Sequence, residues 1–501
     1  MTVTQIDPKT AMTLAAIAAT GATPRPSGET LQEQTDRITF GVTQQLAKNA
    51  SGWELSWLAL SPDNANMAYV AVNLGANQVA VVTRGTVANL SDILEDFDVG
   101  TVVPFTAGGA QTPISVSKGA LDAFTQVMGM TGAFAGSTGV NLNGALSSIL
   151  SATMGPNPVV FAIGHSLGGC LATMVGLSLQ AGSWAQNPSF GVVAFAAPTA
   201  GLGDFASYFD SRTWAQCQLH VNHYDVIPQA WSNLPPADWP WYQDPPGPVA
   251  TDEVDLLVGA LSTATGYHTY VQPSAIKQYN QDYHLRDDNL VANSTMDFLG
   301  QIAFQHANST YLDLLGAGDV KLYPAPMVIE VRPGFGLPRS EVTIIGKGFT
   351  AVDPEHPTMV DFGPVPCETF EVKSDEEIFV YEVPAGSGIA DVQVTTPFGT
   401  SAASQLAQYA YGGPAPVRVF RVEALDTDVQ PPQVMVWGTG FGAGARVFFG
   451  KVPSPQVQLV DPLQLRVMVP PGDPGTVVNV TVLYNGYSSP TSPVDQYTYP
   501  S

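Results

Sequence analysis

The spacing of hydrophobic residues divides the chain into two parts with different predicted structures. In the first 323 residues, short apolar runs alternate with segments whose apolar residues recur every three or four positions. The runs predict buried strands, at Trp53–Leu60, Asn66–Asn73, Gln78–Thr83, Val159–Ile163, Phe190–Ala197 and Gln218–Val221. The segments predict helices, at residues 6–22, 31–50, 116–128, 142–154, 203–209, 292–307 and 309–315. Strands that alternate with helices indicate an α/β domain with a mostly parallel sheet.

Helical periodicity is absent from the rest of the chain, where strand-like segments alternate with Gly and Pro turns. This part contains an internal repeat, because VTIIGKGF at 342–349 corresponds to VMVWGTGF at 434–441. Short strands with regular turns in copies of this size predict small β-sandwiches. We therefore expect an α/β domain at residues 1–323, followed by two all-β, immunoglobulin-like sandwiches at 324–412 and 413–501.

The stretch VVFAIGHSLGG, at Val159–Gly169, combines a strand signal with a reactive side chain. Its apolar run turns sharply through the glycines, and a run of small and apolar residues follows. Gly164 and Gly168 flank Ser166, and glycines there let a strand and a helix approach closely around an exposed hydroxyl. A chance match in a glycine-rich chain is the alternative. The strand before the turn and the helix after it favour a nucleophile elbow with Ser166 as the catalytic nucleophile.

A serine nucleophile needs a histidine that takes its proton and an acid that orients the histidine. On a sheet with such an elbow, the acid and then the base follow the serine along the chain. Asp225 lies just after a predicted strand, where catalytic groups gather in open α/β sheets, although it could also cap the turn before Pro228. The candidate bases are His268, His284 and His306. Spacing alone does not choose among them.

The oxyanion of an acyl-transfer intermediate needs backbone N–H donors. Leu167, the residue after the nucleophile, is one candidate donor. Thr86 is the second, because it follows the strand Gln78–Thr83, and its hydroxyl could add a further hydrogen bond. The alternative for Arg84–Thr86 is an ordinary turn at a strand end.

Charge and composition exclude several classes of protein. The formal net charge is −24, so the surface repels phosphate backbones and nucleic acid is not an expected partner. No apolar run reaches 18 residues, and we expect no transmembrane segment. Asp7 and Pro8 predict the start of an amphipathic helix rather than a signal peptide. The widely spaced Cys170, Cys217 and Cys367 predict buried thiols, with neither a disulfide framework nor a metal site.

Several segments within residues 30–316 resemble, in order, the class 3 (fungal-type) lipases of the α/β-hydrolase superfamily. They are VVTRGT at 81–86, GHSLGG at 164–169, FAAP at 195–198, VNHYDVIP at 221–228 and HANSTYL at 306–312. The resemblance implies a serine carboxylic ester hydrolase and, within that class, a triacylglycerol lipase that forms an acyl-enzyme on Ser166. It implies Asp225 as the acid and favours His306 over His268, whose segment normally precedes the catalytic histidine. It implies no metal or organic cofactor.

The two predicted sandwiches resemble IPT/TIG immunoglobulin-like domains, which share the G-x-G-F turn of both copies. This implies a fold rather than a reaction, with binding of a partner or polymer as one expectation. An esterase or phospholipase A1 of the same fold is an alternative function. A surface binding or adhesion protein with a silent hydrolase domain is another. The pairing of domains implies a bacterial protein, and the sequence leaves its location open between secreted and cell-associated. The expected substrate is an ester or lipid, met at a lipid–water interface.

Two further segments have a predicted role near the substrate. Asn89–Phe97 has apolar residues at helical spacing and follows the oxyanion segment, as a lid does in such lipases. A plain surface helix is the alternative. The tryptophan- and proline-rich residues 231–242 either line the acyl site, contact a lipid surface, or pack on themselves.

Overall fold

The computed structural model describes residues 5–22, 30–84, 98–132, 137–232, 259, 262–266, 268–279, 295–350, 357–403, 407–412, 417–425, 432–442, 444–461, 463–484 and 487–500. These residues form two compact units. The first contains the described residues up to 324 together with 397–399, and the second contains those of 325–396 and 400–500. Among all the residues that the structure describes, no helix is long and apolar enough to cross a membrane.

The first unit contains helices and strands that alternate along the chain. The helices are α1 (Pro8–Ala19), α2 (Leu31–Asn49), α3 (Lys118–Gly129), α4 (Leu142–Ala152), α5 (Leu167–Ala181), α6 (Gly203–Asp210), α7 (Thr295–His306) and α8 (Asn308–Leu314). The strands are β1 (Glu54–Leu60), β2 (Met67–Asn73), β3 (Gln78–Thr83), β4 (Val102–Phe105), β5 (Ile114–Ser117), β6 (Val159–His165), β7 (Ser189–Phe195), β8 (Gln216–Asn222) and β9 (Ile276–Tyr279).

Seven of these strands form one sheet in the order β1-β2-β3-β6-β7-β8-β9. The first two pairings are antiparallel. The pairings from β3 to β9 are parallel, which confirms the predicted α/β fold with a mostly parallel sheet. Thr83 pairs with Gly164, and His165 pairs with Phe195. The carboxyl ends of β3, β6, β7 and β8 therefore meet at one edge of the sheet.

Strand β6 lies at the centre of this sheet and is buried along its whole length. Parallel strands covered on both faces read as continuous apolar runs, as VVFAI does here. Val160 and Ala162 belong to the core on the face covered by α5, whereas Phe161 and Ile163 belong to the core on the face covered by α1. The strand thus holds its carboxyl end between two packed layers.

Helix α1 begins as predicted but is not amphipathic. The Asp7 side chain accepts a hydrogen bond from the Thr10 N–H, and Pro8 is the first helical residue. All residues from Ala11 to Ala18 are buried, so the prediction of an amphipathic helix is wrong. The small side chains of this segment let the helix lie close to the sheet and be covered on all sides.

The short strands β4, β5 and β9 were not predicted. Residues 114–117, ISVS, form the strand β5, which pairs with β4, and the helix predicted from Val116 begins at Lys118. The Ser117 side chain caps it by accepting from the Ala120 N–H. The edge strand β9 was not predicted, because its four residues carry only a weak apolar pattern.

Strands β10 to β28 belong to the second unit, apart from Gly399 of β18. They are β10 (Met327–Arg332), β11 (Phe335–Gly336), β12 (Val342–Lys347), β13 (Met359–Phe362), β14 (Val365–Pro366), β15 (Phe370–Ser374), β16 (Glu377–Val380), β17 (Ile389–Thr396), β18 (Gly399–Thr400), β19 (Gln408–Tyr411), β20 (Arg418–Ala424), β21 (Gln433–Thr439), β22 (Arg446–Phe449), β23 (Val452–Pro453), β24 (Val457–Asp461), β25 (Gln464–Met468), β26 (Val477–Tyr484), β27 (Tyr487–Ser488) and β28 (Gln496–Thr498). They form antiparallel sheets, apart from the short parallel pair of β11 and β19.

The internal repeat of the sequence is also a repeat of structure. The sheet order β10-β12-β16-β15 corresponds to β20-β21-β25-β24. A Cβ on Gly346 would lie 2.2 Å from the Phe349 ring, and one on Gly438 would lie 2.4 Å from the Phe441 ring, which explains the shared G-x-G-F pattern. Buried apolar residues form one core within 328–409 and another within 417–499. These are the predicted immunoglobulin-like sandwiches, while the boundaries at 323/324 and 412/413 stay predictions.

Candidate active site

Ser166 occupies a sharp turn between β6 and α5. Its φ of 58° and ψ of −129° place a non-glycine residue in a sparsely populated conformation, which costs about 1–3 kcal/mol. Its N–H donates to the Phe195 carbonyl at 2.9 Å, which ties the turn to β7. A Cβ on Gly164 would lie 2.2 Å from the carbonyl carbon of Gly168, so only glycine permits this approach of strand and helix. The local geometry is that of the predicted nucleophile elbow.

Three side chains that are far apart in sequence form one chain of hydrogen bonds. The His306 Nε2 lies 2.7 Å from the Ser166 Oγ, and the His306 Nδ1 lies 2.8 Å from the Asp225 Oδ2. A carboxylate can only accept, so Nδ1 carries the proton and Nε2 of the neutral ring accepts from the serine hydroxyl. This arrangement can withdraw a proton from Ser166 and stabilise the resulting imidazolium.

The Asp225 carboxylate is completely buried, yet both of its oxygens have donors. Oδ1 accepts from the Ile227 N–H at 3.0 Å. Oδ2 accepts from the Tyr311 hydroxyl at 2.8 Å in addition to His306. A buried charge is tolerated when hydrogen bonds replace its lost solvation, and these donors fulfil that condition.

His306 is the last residue of α7, within the helix predicted at residues 292–307. Asn222, at the end of β8, holds the preceding residue because its Nδ2 donates to the main-chain oxygen of Gln305 at 2.9 Å. It also donates to the Gln305 Oε1 at 2.8 Å. Helix α8 begins two residues later, at Asn308. The histidine is therefore held by β8 on one side and by two helix ends on the other.

The structure describes one of the two candidate oxyanion donors, Leu167. Leu167 is the first residue of α5, so its N–H belongs to the group that has no acceptor within a helix. Thr86 lies outside the described residues. Thr83, at the end of β3, donates from Oγ1 to the Gly168 carbonyl at 2.6 Å and so connects β3 to the elbow.

Arg84 follows β3 and is almost completely buried. Its guanidinium donates to the Gly21 carbonyl at 2.7 Å and to the Asn64 Oδ1 at 3.1 Å, and also to the Asn64 carbonyl. Burial lowers the pKa of Arg84 to about 10, which still leaves it charged at neutral pH. The residue thus joins the end of β3 to the turn between β1 and β2.

The His165 ring lies beside both His306 and Tyr311. The His165 ring lies 4.9 Å from the His306 ring and 5.4 Å from the Tyr311 ring. Burial, and then the charge of His306, hold the pKa of His165 well below its usual value. Burial, and then the charge of Asp225, raise the pKa of Tyr311 well above 10. Near neutral pH, one ring is therefore uncharged and the phenol keeps its proton.

The other candidates from the sequence lie elsewhere or outside the described residues. His268 is exposed, and His284 and the predicted lid Asn89–Phe97 are not among the described residues. Trp231 is buried and donates from Nε1 to the Thr199 carbonyl at 2.9 Å, so this residue packs in the core rather than contacting a lipid surface. The rest of 231–242 lies outside the described residues, apart from Ser232.

The comparisons with known proteins agree with this geometry. Residues 80–234 match the family model described as Lipase (class 3), and residues 432–499 match the model of the IPT/TIG domain. The chain carries a class 3 lipase domain. The domain is that of a carboxylic ester hydrolase, and its matched segment contains both Ser166 and Asp225. The second sandwich is an IPT/TIG domain.

The crystal structure of M37 lipase shows the same fold for the lipase domain. It is 20% identical, with a TM-score of 0.50, and the match covers 62% of this chain and 93% of that one. Lip2 lipase from Yarrowia lipolytica is 18% identical, with a TM-score of 0.31, covering 44% and 72%. A triacylglycerol lipase from Penicillium expansum is 17% identical, with a TM-score of 0.31, covering 40% and 74%. No curated protein matches the chain.

The sequence did not indicate the supporting residues of the site. Asn222 and Tyr311 stood in segments that resemble lipase motifs, but neither received a role. Their function depends on contacts across 83 to 89 residues, which spacing does not reveal. The structure brings Ser166, Asp225 and His306 together, while their catalytic roles stay predictions.

Proposed function

We propose that the protein is a serine lipase that hydrolyses triacylglycerols through an acyl-enzyme on Ser166. The observation that carries the proposal is the hydrogen-bonded series from the Ser166 Oγ through His306 to the Asp225 carboxylate, with distances of 2.7 and 2.8 Å. These are the distances at which a general base accepts a proton from its nucleophile.

In the first half of the reaction, the Ser166 Oγ attacks the ester carbonyl while its proton passes to the His306 Nε2. Asp225 holds the Nδ1–H and stabilises the imidazolium. The Leu167 N–H donates to the oxyanion, and Thr86 is proposed as the second donor. His306 then gives its proton to the leaving alcohol, which leaves Ser166 acylated.

In the second half, water replaces the alcohol. His306 takes a proton from the water as the water attacks the acyl carbonyl. The tetrahedral intermediate collapses, the proton returns to the Ser166 Oγ, and the fatty acid leaves. Each step uses groups of the chain, the substrate ester and water.

Hydrolysis of p-nitrophenyl esters from short to long acyl chains tests the mechanism. We expect Ser166→Ala and His306→Ala each to lower kcat by about 10³-fold or more, because the triad acts as a unit. The matched control is His268→Ala, since His268 is an exposed imidazole of the same domain. Full activity in His306→Ala would refute its role as the base. An inert wild-type protein on every ester would favour the binding-protein alternative.

The substrate class needs a second assay. We expect faster release of fatty acid from a long-chain triacylglycerol emulsion than from phosphatidylcholine vesicles or from soluble short-chain esters. A preference for the vesicles would instead indicate a phospholipase A1, and a preference for soluble esters would indicate an esterase.

A further inference from the structure

Tyr311 lies in the middle of α8, five residues after His306, and is completely buried. The centroid of its ring lies 5.4 Å from that of the His165 ring, and the two rings are nearly perpendicular. If the position required only a buried aromatic ring, phenylalanine would suffice. The hydroxyl therefore needs its own explanation.

The hydroxyl joins the acid of the site to the strand that positions it. It donates to the Asp225 Oδ2 at 2.8 Å and accepts from the Asn222 main-chain N–H at 2.9 Å. The Asn222 carbonyl in turn accepts from the Asp225 N–H at 3.0 Å. Tyr311 thus closes a small ring of hydrogen bonds around the turn that carries Asp225.

The same carboxylate oxygen serves both Tyr311 and His306. Hydrogen bonds from other donors stabilise the negative charge of a carboxylate and weaken its attraction for the imidazolium. Without the hydroxyl, Oδ2 would keep His306 as its donor among the described residues, and the carboxylate would lose one of its three hydrogen bonds. The phenol therefore acts on both the orientation and the proton affinity of the acid–base pair.

We propose that Tyr311 is a positioning residue of the active site, which orients Asp225 and limits how strongly the carboxylate favours protonated His306. The proposal rests on the proposed function. Among the described residues, Asp225 after β8 and His165 at the end of β6 contact His306, and Tyr311 on α8 contacts Asp225. Burial keeps His165 neutral and Tyr311 protonated near neutral pH, because it lowers the pKa of His165 and raises the pKa of Tyr311.

The variant that tests this is Tyr311→Phe in the full chain, because it removes the hydroxyl and keeps the ring. On a soluble p-nitrophenyl ester we expect kcat per active site to fall by about tenfold with KM nearly unchanged, since a displaced base costs rate rather than binding. We expect the acidic limb of kcat/KM against pH to move up by about 0.5 pH unit, because the freed carboxylate favours the protonated base. Titration with an organophosphonate ester counts the competent sites, so misfolded protein does not enter the rate.

The matched control is Tyr69→Phe. Tyr69 is also completely buried, and its hydroxyl donates to the Leu14 carbonyl at 2.7 Å, away from the site. It should lower thermal stability to a similar degree while leaving the acidic limb in place. A Tyr311→Phe profile that coincides with that of Tyr69→Phe would overturn the proposal. Ser166→Ala is measured in parallel: activity retained there refutes the proposed function, whereas its loss beside an unchanged Tyr311→Phe profile refutes only the role of Tyr311.

Discussion

Replacement of Asp225 by asparagine removes one charge and keeps the shape of the side chain. The carboxylate accepts from three donors, the Ile227 N–H, the Tyr311 hydroxyl and the His306 Nδ1–H. An amide has one oxygen, so its NH₂ group must face some of these donors. If the NH₂ group of the asparagine faces the Ile227 N–H, two hydrogen-bond donors oppose each other in the interior, which costs about 1–3 kcal/mol.

The amide is therefore expected to direct its oxygen to Ile227 and its NH₂ to His306. The imidazole then takes the other tautomer, in which Nδ1 accepts and Nε2 carries the proton. Since Nε2 can no longer accept from Ser166, the nucleophile keeps its proton. The loss should be about 10³–10⁴-fold in kcat, or about 4–5.5 kcal/mol of transition-state stabilisation.

The assay is hydrolysis of a soluble p-nitrophenyl ester near neutral pH, with thermal unfolding measured on the same preparations. The control is Asp204→Asn, because the Asp204 Oδ2 also accepts two hydrogen bonds, from the Ser115 N–H at 2.9 Å and its hydroxyl at 2.8 Å. We expect the control to keep wild-type kcat. A folded Asp225→Asn protein with less than a tenfold loss would refute the reasoning from the tautomer.

Three further predictions follow from the elbow and the buried groups. Gly164→Ala should lower activity by more than about 10²-fold, since its Cβ would meet the Gly168 backbone at 2.2 Å and displace the elbow; ester hydrolysis and circular dichroism check this, and near-wild-type turnover would contradict it. His165→Asn should reduce the loss of stability on acidification. Because the pKa of His165 is lowered in the folded state, the unfolded state binds this proton first as pH falls below the ordinary value of 6.5. The wild-type free energy of unfolding should then fall by up to about 1.4 kcal/mol per pH unit from this group. Urea unfolding at about pH 7 and about pH 5.5 measures it, and equal losses in both proteins would refute it. Burial raises the pKa of the half-buried Cys217 thiol to about 12 and that of the fully buried Cys170 still further, so a disulfide reagent at about pH 8 should modify Cys217 slowly and Cys170 only after denaturation.

The features that the sequence predicted are those whose signals are local. The elbow is recognisable because Gly164, Ser166 and Gly168 lie within five positions, and the glycines are required by a contact made inside the same turn. The repeat is recognisable because Gly346 and Gly438 each lie against the ring of a phenylalanine three residues later in the chain. Such short-range requirements leave a pattern in the sequence.

The features that the sequence did not predict depend on distant contacts. Helix α1 is buried all round because the sheet and α8, which lie far away in the sequence, cover it. The choice of His306 needed a family resemblance, because its partners lie 81 and 140 residues away. The role of the Tyr311 hydroxyl depends likewise on Asn222, across 89 residues.

Covalent labelling with a long-chain p-nitrophenyl phosphonate tests the central claim most directly, because the reagent phosphonylates an activated serine and stays attached. The proposed function predicts stoichiometric release of p-nitrophenol and a mass increase on the peptide that contains Ser166. It also predicts no labelling of Ser166→Ala, and labelling of His306→Ala at least about 10²-fold slower than wild type. A label on another residue, or equal labelling of Ser166→Ala, would contradict the claim that Ser166 is the nucleophile.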